Sequence, residues 1–376
     1  MSSEEMIISK KQMLIAVLII LALIAVSAGW IIYSNQEKKD LNDSDNNIVP
    51  DSNNLIEEKP AFIKIIILEK LDCIECASLD SLVDAISSFD VNILEVKRID
   101  SVSEEGQNLI KMHEITMLPS LIVNGEFNGT ELQSKWSEIG EEKNGVLILR
   151  KPNPPYYSLE EDRLAGKVDV LLIQNSSCDK CVDLSTFPQD LEQVGVFIRD
   201  YNVLEFDSPE AKELLEYYLV DRLPVVFLSL DAAEYDFLSS VWDNLGTVES
   251  DGVLVYREAV PYFDVFSGEV KGLVEVLRLE DKNCFDCLDS NLMVDPLKQM
   301  GIEIVKDSTI DVSSEEGKSL IEKYSITKIP TVIVSSEAEE YLDFFTVWPE
   351  VGTQEDDGNF VFRSLEIFEQ KFITLE

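Results

Sequence analysis

The feature that most constrains this chain is a spacing that occurs three times. Cys73-Ile74-Glu75-Cys76 is followed by Pro119, and 119 − 73 = 46. Cys178-Asp179-Lys180-Cys181 is followed by Pro224, again 46 positions from the leading cysteine. Cys284-Phe285-Asp286-Cys287 is followed by Pro330, once more at 46. These three pairs hold all 6 cysteines of the chain. The leading cysteines are 178 − 73 = 105 and 284 − 178 = 106 residues apart. That period is too long for a solenoid repeat, so each copy is expected to be a domain.

Composition narrows the function classes. The chain has 376 residues, of which 45% are apolar, so it can bury several cores. Its formal net charge is 31 − 72 = −41. Nucleic acid is excluded as a partner, because phosphate binding needs lysine and arginine patches. The single histidine, His113, rules out Cys2His2 zinc sites and Cys-His catalysis repeated in each copy. Paired cysteines three positions apart suit a redox dithiol or half of a metal site, rather than the irregular framework of a small secreted scaffold.

In chain order, residues 1–12 read as a short polar tail. Met13 to Tyr33 is an uncharged run of 21 residues, long enough to cross a hydrocarbon core of roughly 30 Å. It is expected to be a single-pass anchor with a cytoplasmic N-terminus and extracytoplasmic domains, a cleaved signal peptide being the competing reading. Residues 34–59 are polar, acidic and aperiodic, as expected of a flexible linker. The three repeats then occupy 60–158, 159–265 and 266–376.

Each repeat opens on a predicted strand: Phe62–Leu68, Val168–Ile173 and Leu273–Leu279. The CxxC follows, then a helical pattern, then a second strand. A helix start recurs at Ser103, Ser208 and Ser314, each a good N-cap ahead of acidic residues. Pro119, Pro224 and Pro330 each open a further strand, a position where proline need not donate a hydrogen bond. One tryptophan per repeat, Trp136, Trp242 and Trp348, stands four residues before a glycine and is expected to pack beneath the sheet. The junctions Pro154-Pro155-Tyr156-Tyr157 and Pro261-Tyr262-Phe263 match each other and mark domain boundaries.

This order of strand, CxxC, helix, strand, helix and aliphatic-proline strand resembles the thioredoxin superfamily, in three copies over residues 60–376. The fold class expected is α/β: three tandem thioredoxin-like domains, each a central mixed β-sheet flanked by helices, after an N-terminal transmembrane helix. The resemblance implies cis prolines facing the cysteine pairs. It also implies that Leu118 and Pro119, Leu223 and Pro224, and Ile329 and Pro330 hold an extended substrate. Three departures bear on activity. Asp72, Ser177 and Asn283 stand where the family usually has an aromatic residue. Ile67, Leu172 and Arg278 stand where it has a buried acid. No pair encloses Gly-Pro. Efficient general reductase activity is therefore not implied.

The chemistry expected is thiol–disulfide exchange with protein thiols and disulfides, or with a membrane redox partner. Cys73, Cys178 and Cys284 would attack, and Cys76, Cys181 and Cys287 would resolve the mixed disulfide. A cysteine at a helix N-terminus has its thiolate stabilised. Acidic neighbours oppose that at Cys73 and Cys284, whereas Lys180 supports it at Cys178, so Cys178 is expected to be the most reactive. Stable disulfides in binding domains remain a second reading. Zinc or copper(I) held between two pairs is a third, although no resident cofactor or metal is expected.

Overall fold

The computed structural model describes residues 61–375. Repeat one runs β1 (Ala61–Glu69), helix Asp80–Ile86, β2 (Val91–Asp100), helix Glu104–His113, β3 (Met117–Leu118) and β4 (Ser120–Gly125). Helix Glu131–Trp136, β5 (Glu141–Lys143), β6 (Val146–Ile148), β7 (Tyr156–Ser158) and β8 (Arg163–Ala165) follow. Repeat two holds β9 (Lys167–Gln174), β10 (Phe197–Glu205), β11 (Arg222–Leu223), β12 (Val225–Leu228), β13 (Gly246–Val248), β14 (Leu254–Tyr256), β15 (Tyr262–Asp264) and β16 (Val270–Lys271). Repeat three holds β17 (Val274–Glu280), β18 (Ile304–Asp311), β19 (Lys328–Ile329), β20 (Thr331–Val334), β21 (Gly352–Gln354), β22 (Phe360–Phe362) and β23 (Ile373–Thr374).

Each repeat builds the same five-stranded mixed sheet, in the orders β2-β1-β4-β6-β5, β10-β9-β12-β14-β13 and β18-β17-β20-β22-β21. The first two strands of each order run parallel and the remaining neighbours antiparallel. The alternation in β1 explains why it is an interior strand. Ile63, Ile65 and Ile67 feed a core with Leu121, Leu132 and Trp136. Ile66 and Leu68 point the other way, into a core with Leu109, Ile110 and Ile122. The edge strands β2, β10 and β18 carry mostly exposed or half-buried residues. Their charged residues, such as Lys97 and Arg98, cost nothing on a face left to water and blunt the sheet edge.

Several recurrent residues have structural work. Ser103, Ser208 and Ser314 cap their helices, accepting from the N–H groups of Gly106, Ala211 and Gly317. All three tryptophans are buried in cores, as their size and apolarity predicted. Arg257 and Arg363 donate to the carbonyls of Tyr218 and Tyr324 at 2.7 Å, closing the end of the preceding helix. Arg150 does the same for His113 and Glu114.

The anchor is the main correction. Among the described residues no helix is long and apolar enough to cross a membrane. The single-pass, extracytoplasmic placement is therefore not supported, and the tail, the run 13–33 and the linker 34–59 lie outside the described residues.

Candidate functional site

Sheet register brings the site together. Leu68 pairs with Ser120, Ile173 with Val225 and Leu279 with Thr331. Each CxxC leaves the end of the first of these strands, and each proline immediately precedes the second. The bonds Leu118-Pro119, Leu223-Pro224 and Ile329-Pro330 are cis, as the family resemblance implied. Cys73 is bridged to Cys76, Cys178 to Cys181 and Cys284 to Cys287. In each loop the leading cysteine's N–H closes a turn on the carbonyl three residues back, that of Lys70, Asn175 or Asp281.

The cysteines are not in the first turn of a helix. The following helices open at Asp80, Phe187 and Asn291, that is 80 − 76 = 4, 187 − 181 = 6 and 291 − 287 = 4 residues beyond the second cysteine. The loops are runs of turns, so the dipole support expected for the leading thiols loses its basis. All six cysteines are half-buried. The tips between them are open: Ile74 is 94% and Phe285 97% exposed. Asp179 is the exposed counterpart in repeat two.

The acidic neighbours are also less free than their sequence suggests. Lys70 pairs with Asp72, and the hydrogen bond it donates holds that carboxyl below its ordinary range. Lys167, from the second repeat, pairs with Glu75 at 2.7 Å. Lys371 donates to both oxygens of Asp286, at 2.8 and 2.9 Å, and lowers its pKa in the same way. Asp286 Oδ1 lies 3.7 Å from Cys284 Sγ.

In the third repeat the two cysteines line a cleft of about 250 Å³ with Ile329, Pro330, Ile373 and Glu280. Glu280 was not singled out in the sequence; the signal available was an acid four residues before the leading cysteine, shared with Glu69. Ser290 Oγ donates to it. Arg278, at the position where the family has its acid, is buried and satisfied. Its guanidinium grips Asp307 at 2.6 and 2.7 Å and donates to Ser290 and Asn291 at 2.9 Å. Among the described residues no three His, Cys, Asp or Glu side chains group as metal ligands.

A further element at every site was not visible in the sequence. A strap of the chain's own backbone lies along the two residues before each cis proline. Leu118 pairs with Tyr157, Leu223 with Phe263 and Ile329 with Ile373, all antiparallel. Just ahead of that ladder, the carbonyls of Pro155, Pro261 and Lys371 accept from the N–H groups of Ala77, Val182 and Leu288 at 2.7–2.8 Å. Those donors are the residues immediately after each CxxC. Just beyond the ladder, the N–H groups of Leu159, Val265 and Leu375 donate to Thr116, Asp221 and Thr327 at 2.8 Å. The first two straps also carry cis bonds, at Pro154-Pro155 and Val260-Pro261.

No protein-family model and no curated protein matches the chain. Several solved structures of thioredoxin-fold proteins do. The NTD_N/C domain of alkylhydroperoxide reductase AhpF from Enterococcus faecalis is 15% identical, over 45% of this chain and 83% of that one, with a TM-score of 0.16. Full-length ERdj5 is 12% identical, over 73% of this chain and 39% of its own, at 0.14. Human ERp44 form II is 11% identical, over 77% and 83%, also at 0.14. Scores so low carry no argument; the thioredoxin-like character of the repeats rests on sheet order and on a CxxC loop beside a cis-proline strand. Those features support a thiol–disulfide redox role in general terms.

Proposed function

We propose that the chain is a thiol–disulfide oxidoreductase, or a dithiol electron relay, acting on protein thiols and disulfides through its CxxC pairs. Cys73, Cys178 and Cys284 are the attacking thiols, and Cys76, Cys181 and Cys287 the resolving ones. Leu118-Pro119, Leu223-Pro224 and Ile329-Pro330, each paired with the chain's own strap, form the edges against which an extended segment would lie once that strap moves. The observation that carries this reading is the third site, where both cysteines and Ile329-Pro330 line one cleft. A sulfur there is within reach of an incoming thiolate, and the second cysteine can leave and later return. Each cycle moves two electrons and two protons between the pair and its substrate.

A second reading, stable disulfides within binding domains, is favoured at the first two sites by one observation. Their straps are buried at Pro155 and Pro261, over the residue that follows the CxxC.

The test is equilibration of the full chain in glutathione buffers of graded ratio, with each pair read by peptide mass after alkylation. Resolving-cysteine variants, Cys76→Ser, Cys181→Ser and Cys287→Ser, should trap mixed disulfides with a disulfide-bearing peptide, whose other half leaves as thiol. If no pair titrates and no variant traps a peptide, the redox reading fails and the structural one stands.

A further inference from the structure

The three straps make the same backbone bonds, but different forces hold them. In the first two, the strap turns back into a second strand, β7 into β8 and β15 into β16. The next repeat then covers it. Tyr156 donates to Glu234 and Tyr262 to Glu340. Gly166 and Gly272 stand at φ of 83° and 81°, and a Cβ there would meet Pro154 at 2.3 Å and Val260 at 2.4 Å. Among the described residues the third strap has none of this. Lys371 and Thr374 are exposed, and Phe372 and Ile373 are half-buried. Its polar and ring attachments are the Lys371–Asp286 ion pair, between side chains 57% and 72% exposed, and Lys328 placed 5.8 Å over the Phe372 ring, while Phe372, Ile373 and Leu375 pack only partly buried against the cores of repeat three.

From this contrast we propose that β19, beside the Cys284–Cys287 pair, is a docking edge for an extended polypeptide, and that Lys371–Leu375 is its displaceable resident. The proposal deepens the redox reading of this site and rests on it for the chemical step only. The occupant is specified by what sits there now. It is a strand that adds, through main-chain hydrogen bonds, to the edge the strap vacates. It places an aromatic and an aliphatic residue where Phe372 and Ile373 lie. It carries a lysine or arginine opposite Asp286, inside the CxxC loop. A chain of formal charge −41 attracts such a basic segment from a distance. Phe285, exposed at the loop tip, adds an apolar contact that the resident strap leaves uncovered.

Once the strap has left, a peptide thiolate can bond to Cys284 Sγ. The Cys284–Cys287 bond breaks and Cys287 departs as thiolate. A second peptide thiol then breaks the mixed disulfide. Two peptide thiols become one peptide disulfide, and the pair takes up the two electrons and two protons.

Two chains are compared, the full chain and one ended after Gln370. The probe is a fluorescent Lys-Phe-Ile-Thr-Leu-Glu peptide, and binding is read by anisotropy. A cysteine-extended form of it and dithiothreitol are then used to reduce the third pair. The shortened chain should bind the probe and the full chain should bind it about tenfold less, the factor by which a strap seated roughly nine-tenths of the time reduces access. Reduction by the cysteine peptide should accelerate by a similar factor, while dithiothreitol gains less than about twofold, because a small thiol needs no edge. Lys371→Glu in the full chain should fall between the two. The first two pairs should not change, which also reports that the shortened chain is folded. The proposal is overturned if the shortened chain fails to bind the probe, or if both chains bind it equally. Binding without reduction by either thiol would keep the docking edge and sink the redox reading of this pair.

Discussion

The second and third straps show how one backbone geometry can be held in two ways. Both pair antiparallel with the two residues before a cis proline, and both accept from the N–H just past the CxxC. In the second, Tyr262 is buried under repeat three, stacks with Arg222 at 4.3 Å and donates to Glu340. In the third, the corresponding ring, Phe372, is half-buried. Backbone hydrogen bonds contribute about 1 kcal/mol each, and those to the cis-proline edge and the CxxC loop are matched, so the difference must come from side-chain burial and from the β15–β16 pairing that the third strap lacks.

The largest effect should therefore appear on truncating the two rings. Tyr262→Ala removes a buried aromatic and should destabilise the boundary between repeats two and three by about 3–5 kcal/mol, whereas Phe372→Ala should cost roughly half that or less. Urea unfolding followed by hydrogen exchange, repeat by repeat, reads both. Equal costs would mean that the straps are equivalent, and the contrast would collapse.

The same contrast should appear in the unmutated chain as a difference in opening. The amides of Val265 and Leu375 make matched bonds of 2.8 Å to Asp221 and Thr327. If the second strap is held by deeper burial than the third, Leu375 should exchange at least about tenfold faster than Val265 after correction for intrinsic rates. Comparable protection would show that the third strap does not open more readily.

Much of this architecture was legible because it depends on residue type. Alternating Ile63, Ile65 and Ile67, the serine caps and the 46-residue spacing each carry a side-chain signal, and all three prolines are cis where the resemblance placed them. The straps were not legible, because main-chain pairing is nearly indifferent to side chains. Pro154-Pro155-Tyr156 and Pro261-Tyr262 were readable as junctions, but nothing in them announces that they cross a cysteine pair. Lys371-Phe372-Ile373 lacks even the proline. The starts of the helices that follow each CxxC were missed for a related reason: the apolar periodicity of Leu79, Leu82, Val83 and Ile86 shows that a helix exists but not how many turn residues precede it.

Ion pairing also escaped the sequence, and it sharpens a smaller comparison, between repeats one and two. The sequence ranks Cys178 above Cys73 by counting Asp72 and Glu75 as free charges, yet both are paired with lysines. Among the described residues Lys180 makes no ion pair. With their lysines in place, the two reduced thiols should label with iodoacetamide within about threefold of each other, the scale of exposed charge pairs. Lys70→Ala should slow Cys73 alone and Lys180→Ala Cys178 alone. If Cys73 is far slower before any mutation, the simple sequence count was sufficient.

The smallest expected effect is acid loosening of the third strap. The hydrogen bond from Lys371 lowers the pKa of Asp286 below its ordinary value. A carboxyl whose pKa is lowered by its partner favours the paired state fully above the ordinary carboxylate value of about 3.9, and that contribution is lost as pH falls through the lowered pKa. Between pH 5 and 8, roughly, the strap should be indifferent to acidity, and below about pH 4 it should begin to lift. The second strap rests on buried Tyr262 and should not follow. Exchange at Leu375, normalised to the intrinsic rate at each pH, is the measurement, with Lys371→Gln as the arm in which the dependence should disappear. Acid loosening of the same size in Lys371→Gln would assign it to another group, and a flat profile in the unmutated chain would show that the pair contributes nothing to holding the strap.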